Sequence, residues 1–253
     1  MDIAAAAAHY THAHTGRATA KENLHDNHQD GAQTLRTLAA MLDLSVAATA
    51  AAHLAYHRFY NQRSADHFDT TAVALGALLL ATKLEECPRR LRDLLNVHHR
   101  LEQRRAARRR RSSADDDAPP PLTHLDIHSE AYARSRERVV RAEREILKEL
   151  GFVLYIEHPH KFLLNYVRLR TPAEATSARL AQYAWNFLND AQRSDACICY
   201  RPETLCCAAI WLAAHVERVK LPPSWWDLFE ATREDIDAAI SDVTSLYGSG
   251  ASG

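Results

Sequence analysis

Apolar residues recur along most of this chain at three- and four-residue spacing, which marks helices rather than strands. The segment Q-T-L-R-T-L-A-A-M-L-D-L, following Ala32, gives a short amphipathic helix through Leu35, Leu38 and Leu42. Ser45 then supplies a side-chain oxygen to cap V-A-A-T-A-A-A-H-L-A-Y-H-R-F-Y-N-Q, whose buried side runs through Val46, Ala50, Leu54 and Tyr56–Phe59. A third element, capped by Thr70 or Thr71, is apolar on every face from Val73 to Ala81, with Ala74, Gly76 and Ala77 interleaved. Such a segment is a buried core helix whose small residues let neighbours approach closely, and it is too short for a bilayer, which needs about 20 apolar residues. It ends in charge at Lys83, Glu85 and Glu86. Pro88 suits the first turn of the next helix, which continues through Leu91, Leu94, Leu95 and Leu101. A further stripe of Val139, Ala142, Ile146 and Leu150 closes at Gly151, the expected left-handed terminus. Phe152, Leu154 and Ile156 lead away from it.

The second half repeats this order, with helices expected near 161–170, 175–191, 202–216, 225–229 and 233–247. V-A-L-G-A-L-L-L-A-T-K-L-E (Val73–Glu85) lies on L-C-C-A-A-I-W-L-A-A-H-V-E (Leu205–Glu217) without a gap. R-F-Y-N-Q-R-S likewise resembles N-F-L-N-D-A-Q-R-S, with Phe59 over Phe187 and Asn61 over Asn189. Two matches in one order at nearly one offset indicate a duplicated helical bundle. The pattern therefore predicts an all-α chain: an unstructured arm over 1–31, a first bundle over 32–157, a second over 158–247 and a Gly/Ser tail over 248–253. The repeat is unequal at one point, because His215 stands where the first half has Lys83.

Composition supports a packed helical protein and adds little else. Of 253 residues 47% are hydrophobic and only 7 are glycine, so two cores can be filled. The formal net charge of -1 creates no global field toward nucleic acid or membrane. Five cysteines, an odd number without C-x-x-C spacing, fit free thiols in a reducing compartment, as does the absence of a signal peptide. Cys206 and Cys207 overlay Ala74 and Leu75 of the buried helix, so a metal role is not expected for them. His9, His12 and His14 have no acidic or cysteine ligands nearby, and the pair His53/His57 lacks a third ligand. One stretch breaks the pattern. Arg104, Arg105, Arg108, Arg109, Arg110 and Arg111 precede two serines, three aspartates and three prolines, which reads as an exposed insertion over 102–124. Its arginines either neutralise the aspartates, or serve as a basic targeting run for nuclear import or as a contact to RNA or acidic protein. Sequence-specific nucleic-acid recognition is not expected in the absence of interleaved aromatics.

No glycine-rich phosphate loop, metal-ligand set or activated nucleophile is visible, so the chain is expected to be a binding protein without catalysis or cofactor. Spacing alone makes K-L-E-E a solvated helix end. The longer string K-L-E-E-C-P-R-R-L-R-D-L-L-N-V-H-H-R-L changes the weight. It resembles the centre of a cyclin box, and is most similar to the L-type cyclins, with T- and K-type cyclins next. R-A-E-R-E-I-L-K-E-L-G-F resembles the fifth helix of the same box. The resemblance covers roughly Ala32 to Tyr247, as two cyclin boxes.

That resemblance implies a regulatory subunit that forms a heterodimer with a cyclin-dependent kinase, of the PITSLRE type for L-type cyclins, in a nuclear role in transcription and pre-mRNA processing. Cyclins dock on the kinase helix whose glutamate must reach the ATP-positioning lysine before phosphoryl transfer. Lys83 and Glu143 match the motif residues that hold kinase backbone groups, with Glu86 as a second acceptor. Leu84, Leu147, Phe152 and Leu154 match apolar contact positions. The Arg/Ser-rich tail of long L-type forms and a clear M-R-A-I-L-like patch are not seen, so neither splicing-body targeting nor cell-cycle substrate docking is carried over. An elongation cyclin of the T or K type is the alternative reading. A B-type general transcription factor, also built of two cyclin folds, would call for a zinc ribbon and a basic DNA-facing surface.

Overall fold

The computed structural model of the chain describes residues 22–63, 68–112, 123–153, 156–170 and 174–248. These residues form helices, turns and connecting segments, with no β-strand among them. They divide into two compact units, one spanning Leu24–Leu154 and one carried by the chain from Tyr155 onward. The tandem all-helical architecture expected from the periodicity is the one observed.

The first unit contains α1 (Glu22–Met41), α2 (Val46–Gln62), α3 (Thr70–Leu84), α4 (Leu91–Ser112) and α5 (Glu130–Glu149). Its hub is α3, where every residue from Val73 to Thr82 is buried, packed against α2 and α5. Burying each leucine of that helix stabilises the unit by about 1.5–3 kcal/mol. Gly76 is required by the packing: a Cβ there would sit 2.8 Å from the Glu143 backbone nitrogen and 3.0 Å from Ala142 Cβ. The α5 backbone can therefore lie directly on α3 only because position 76 has no side chain.

The second unit contains α6 (His160–Arg170), α7 (Glu174–Ala191), the short α8 (Ala196–Cys199), α9 (Pro202–Glu217), a 3-10 turn (Trp225–Phe229) and α10 (Arg233–Gly248). Here α9 is the hub, packed on α7 and α10. Cys206 and Cys207 are buried in it, and burial pushes both thiols up, Cys207 to about 12. They pack as small apolar residues, not as reactive thiolates. Trp225 is enclosed beside Phe229, whose ring stacks on Tyr166.

The duplication extends to how each hub helix ends. Cys87 N–H donates to Thr82 C=O at 2.9 Å and Glu86 N–H to Lys83 C=O at 3.4 Å. Val219 N–H donates to Ala214 C=O at 2.8 Å and Arg218 N–H to His215 C=O at 3.3 Å, at the repeat-equivalent positions. Both are Schellman closures, and both place a non-glycine residue in the left-handed region, Glu86 at φ 51° and Arg218 at φ 55°. The closure of α5 has the same bonds, with Gly151 at φ 56° in the position that glycine normally takes.

The structure departs from the sequence expectations at five places. Helix α1 starts at Glu22, within the stretch expected to be an unstructured arm, because it propagates back from the buried anchors Leu35 and Leu38. The cap of α3 is Asp69, whose carboxylate accepts from Thr71 N–H, not a threonine. Pro88 stays outside α4, and the corner is instead fastened by Arg89, which donates to the Leu42 and Asp43 carbonyls at the end of α1. Val46 is exposed, not buried. The arginine run, expected as a loop, is helical as far as Ser112, since arginine and alanine are strong helix formers. The returning chain is tied back to that helix by Gln103 to Thr123 and by Leu125 N–H to Asn96. The aspartates, prolines and first histidines singled out in the sequence lie outside the described residues.

Candidate functional site

Lys83 occupies the last turn of α3, one residue before the buried helix reaches its exposed corner. Glu143 lies on the buried stripe of α5, beside Ala142 and Ile146. The glycine contact at position 76, seven residues and two turns before Lys83, brings α5 close enough for the two side chains to meet. Lys83 Nζ donates to Glu143 Oε1 at 2.5 Å. The lysine side chain is 54% exposed and the carboxylate 12%. The pair thus straddles the edge of the core.

A half-exposed ion pair contributes only about 0–1 kcal/mol to folding. The second unit shows what packing alone would select at this place. When Val139, Ala142 and Ile146 are laid on Ile236, Ala239 and Val243, Ile240 takes the position of Glu143 and is fully buried. His215 takes that of Lys83, and Ala208 that of Gly76. The lysine and the glutamate are present together in one bundle only. Chemically, the pair leaves capacity unused, because an ammonium has three donors and a carboxylate two oxygens. Each side chain is held in place by the other and can still bond a partner's backbone.

The turn that follows α5 is apolar. Phe152 is 68% exposed and Val153 66%, directly after the closure of α5. Leu84 and Leu147 are half-buried, and Glu86 is exposed on the left-handed corner. The structure therefore gathers Lys83, Leu84, Glu86, Glu143, Leu147 and Phe152 onto α3, α5 and the turns that close them. Leu154 lies outside the described residues. Sequence reasoning missed Val153, whose signal was its place after Gly151-Phe152, and Gly76, read only as a small residue. Arg104, Arg105, Arg108, Arg109, Arg110 and Arg111 are on a different helix, α4.

Other candidate chemistry disperses. His53 and His57 are buried within α2, their rings stacked at 6.0 Å between centroids. His160 packs edge-on against Trp185 and bonds Asn189, and burial lowers its pKa to about 4. Among the described residues no group of three or more His, Cys, Asp or Glu could hold a metal ion. No helix among them is long and apolar enough to cross a membrane.

A family model for the cyclin N-terminal domain matches residues 9–155, more than half of the chain. The chain belongs to the cyclin family. Its relatives include Cyclin-L1-1 of Arabidopsis thaliana, 37% identical over 210 residues, which cover 82% of this chain and 46% of that protein. Cyclin-L1 of Homo sapiens is 35% identical over 219 residues, covering 86% of this chain and 39% of that one. These similarities make it an L-type cyclin that spans less than half the length of those relatives. In fold it is similar to a chain of the yeast RNA Pol II CTD kinase CTDK-1 complex, with a TM-score of 0.69 at 17% identity, covering 97% of this chain and 71% of that one. It is also similar to a chain of the CAK complex of Chaetomium thermophilum, with a TM-score of 0.60 at 18% identity, covering 96% and 71%. Lys83 and Glu143 both fall within the matched cyclin N-terminal domain.

Proposed function

We propose that this cyclin is a regulatory subunit, without catalysis of its own, that binds and activates a cyclin-dependent kinase through the α3–α5 face. The observation that carries the reading is the Lys83–Glu143 pair, held half-open at the edge of the first bundle and replaced by His215 and Ile240 in the second. Lys83 donates to and Glu143 accepts from backbone groups of the kinase, in short, directional, charge-assisted bonds. Glu86 adds an acceptor. Phe152 and Val153, with Leu84 and Leu147 beside them, form the apolar centre that loses water on docking. Pressing on the kinase helix that carries the catalytic glutamate brings that glutamate to the ATP-positioning lysine.

The finer reading is an L-type role: a PITSLRE-type kinase, a nuclear location, and regulation of transcription and pre-mRNA processing. The L-type relatives support it, as does the likeness in fold to chains of transcription-kinase complexes. Affinity purification of the tagged chain, followed by mass spectrometry and a kinase assay with and without added chain, tests both levels. The reading expects one stoichiometric kinase whose activity rises and saturates at one-to-one. Purification without a kinase contradicts it. Recovery of an elongation kinase instead moves the chain to the T/K-type role.

A further inference from the structure

Finding the arginine run on a helix changes what it can do. Between residues 100 and 110, α4 carries Arg100, Arg104, Arg105, Arg108, Arg109 and Arg110 against the single acid Glu102, a surplus of five positive charges on a chain whose net charge is -1. At 1.5 Å per residue this stretch is about 15 Å long, roughly one surplus charge per 3 Å. A nucleic-acid strand carries one phosphate per about 3.4 Å of axis. The two linear charge densities match.

The arginines divide between two sides of the helix. Arg105, Arg108 and Arg109, with Arg138 of α5, line a groove of about 980 Å³ in front of Thr70 and Thr71. There the charges are compensated: Arg105 bonds Glu102 and Thr34, and Arg138 bonds Asp69. A phosphorylated peptide entering this groove would have to displace carboxylates already in place. Arg100 and Arg104 lie outside the groove, and Arg108 stands where their stripe meets it. All three are exposed, they follow one another at four-residue intervals, about 6 Å apart along one face, and among the described residues no carboxylate pairs with them. Every basic side chain of α4 apart from its two histidines is arginine, whose planar fork fits a phosphate with two parallel bonds. Neither α4 nor the groove lining contains an aromatic residue apart from histidine, so no platform for stacking bases is provided.

We propose that the exposed arginine stripe of α4 binds the phosphodiester backbone of a nucleic acid without reading its sequence. The inference is independent of the kinase-binding face and stands or falls separately from it. The test is fluorescence anisotropy of the full chain with a labelled 20-nucleotide RNA hairpin and with a DNA duplex matched in charge. A doubly phosphorylated peptide and an oligoglutamate serve as protein polyanions. With three phosphate contacts, affinity for either nucleic acid falls roughly 40-fold between 50 and 200 mM salt. The triple variant Arg100→Gln, Arg104→Gln, Arg108→Gln binds at least about tenfold more weakly at 50 mM salt and loses most of that salt dependence. The corresponding triple lysine variant keeps the salt slope and loses only part of the affinity, and it decides the matter should the glutamine variant prove misfolded by circular dichroism. Whichever nucleic acid binds more tightly identifies the source of the phosphates. No binding at 50 mM salt, an unchanged slope in a folded glutamine variant, or tighter binding of either peptide at equal charge overturns the proposal.

Discussion

Substituting Glu143 by isoleucine separates stability from partner binding at the α3–α5 face. In the second bundle Ile240 already fills the equivalent position and is fully buried, so the first core has a template for accepting the change. The variant removes a carboxylate that is only 12% exposed and whose partner Lys83 can turn to water. Exchanging an ion pair for a packed apolar side chain is commonly neutral or stabilising. Melting should therefore hold or rise by a few degrees. Binding should fall, because losing one partner of a buried charged hydrogen bond at an interface costs about 2–5 kcal/mol. That is roughly a 30-fold to several-thousandfold weaker Kd for the kinase. Lys83→Ala should weaken binding similarly, with some loss of stability, since it strands Glu143 at the core edge without its cation. His215→Ala, at the repeat-equivalent site, should leave binding unchanged. Isothermal titration against the purified kinase, alongside thermal melting, reads both quantities. A Glu143→Ile protein that melts like wild type and binds the kinase with full affinity would refute the assignment of the anchor.

Three further outcomes follow from the packing and charge. Gly76→Ala places a Cβ 2.8 Å from the α5 backbone, which cannot move aside cheaply, and should destabilise the first bundle by about 1–3 kcal/mol in denaturant melts. His160 has a folded pKa of about 4, below its ordinary 6.5, so the unfolded chain takes up the proton first as pH falls. Stability should be full above pH 6.5 and decline toward pH 4, by at most about 3 kcal/mol from this group, and His160→Phe should flatten that decline. Replacing Arg104, Arg105, Arg108, Arg109, Arg110 and Arg111 by glutamine should reduce nuclear accumulation of a fluorescent fusion while melting stays within a few degrees. A large loss of melting temperature with unchanged localisation would make the run structural.

Local chemistry was readable wherever one residue type has one strong reason for its place. The apolar run Val73–Ala81 could only be a buried helix, Ser45 caps α2, and Gly151 takes the left-handed closing position of α5. The gapless overlay of Val73–Glu85 on Leu205–Glu217 located the second hub helix, and the two share their closing hydrogen bonds as well. What could not be read depended on competition or on distance in sequence. Asp69 competes with two neighbouring threonines as a cap and wins. Glu86 closes its helix with φ 51°, a conformation that no glycine announces. The arginine run looked like a loop because like charges repel, yet helix propensity and anchoring at Leu94, Leu95 and Leu101 carry the helix through it. Periodicity places Lys83 and Glu143 on helices sixty residues apart and says nothing about their meeting. The likeness to a cyclin box singled them out, and Gly76 supplies the physical reason that they touch.

The central claim is that the kinase sits on the α3–α5 face of the first bundle. It is tested most directly by introducing a photo-crosslinking amino acid at Phe152, which is 68% exposed on that face, and at Leu228, which is 66% exposed in the second bundle. Both positions tolerate the probe without disturbing a core, and both proteins are irradiated in the purified kinase complex. The account predicts an efficient covalent adduct from position 152, mapping to the kinase helix that carries the catalytic glutamate, and little from position 228. An adduct from 228 with none from 152 would contradict it.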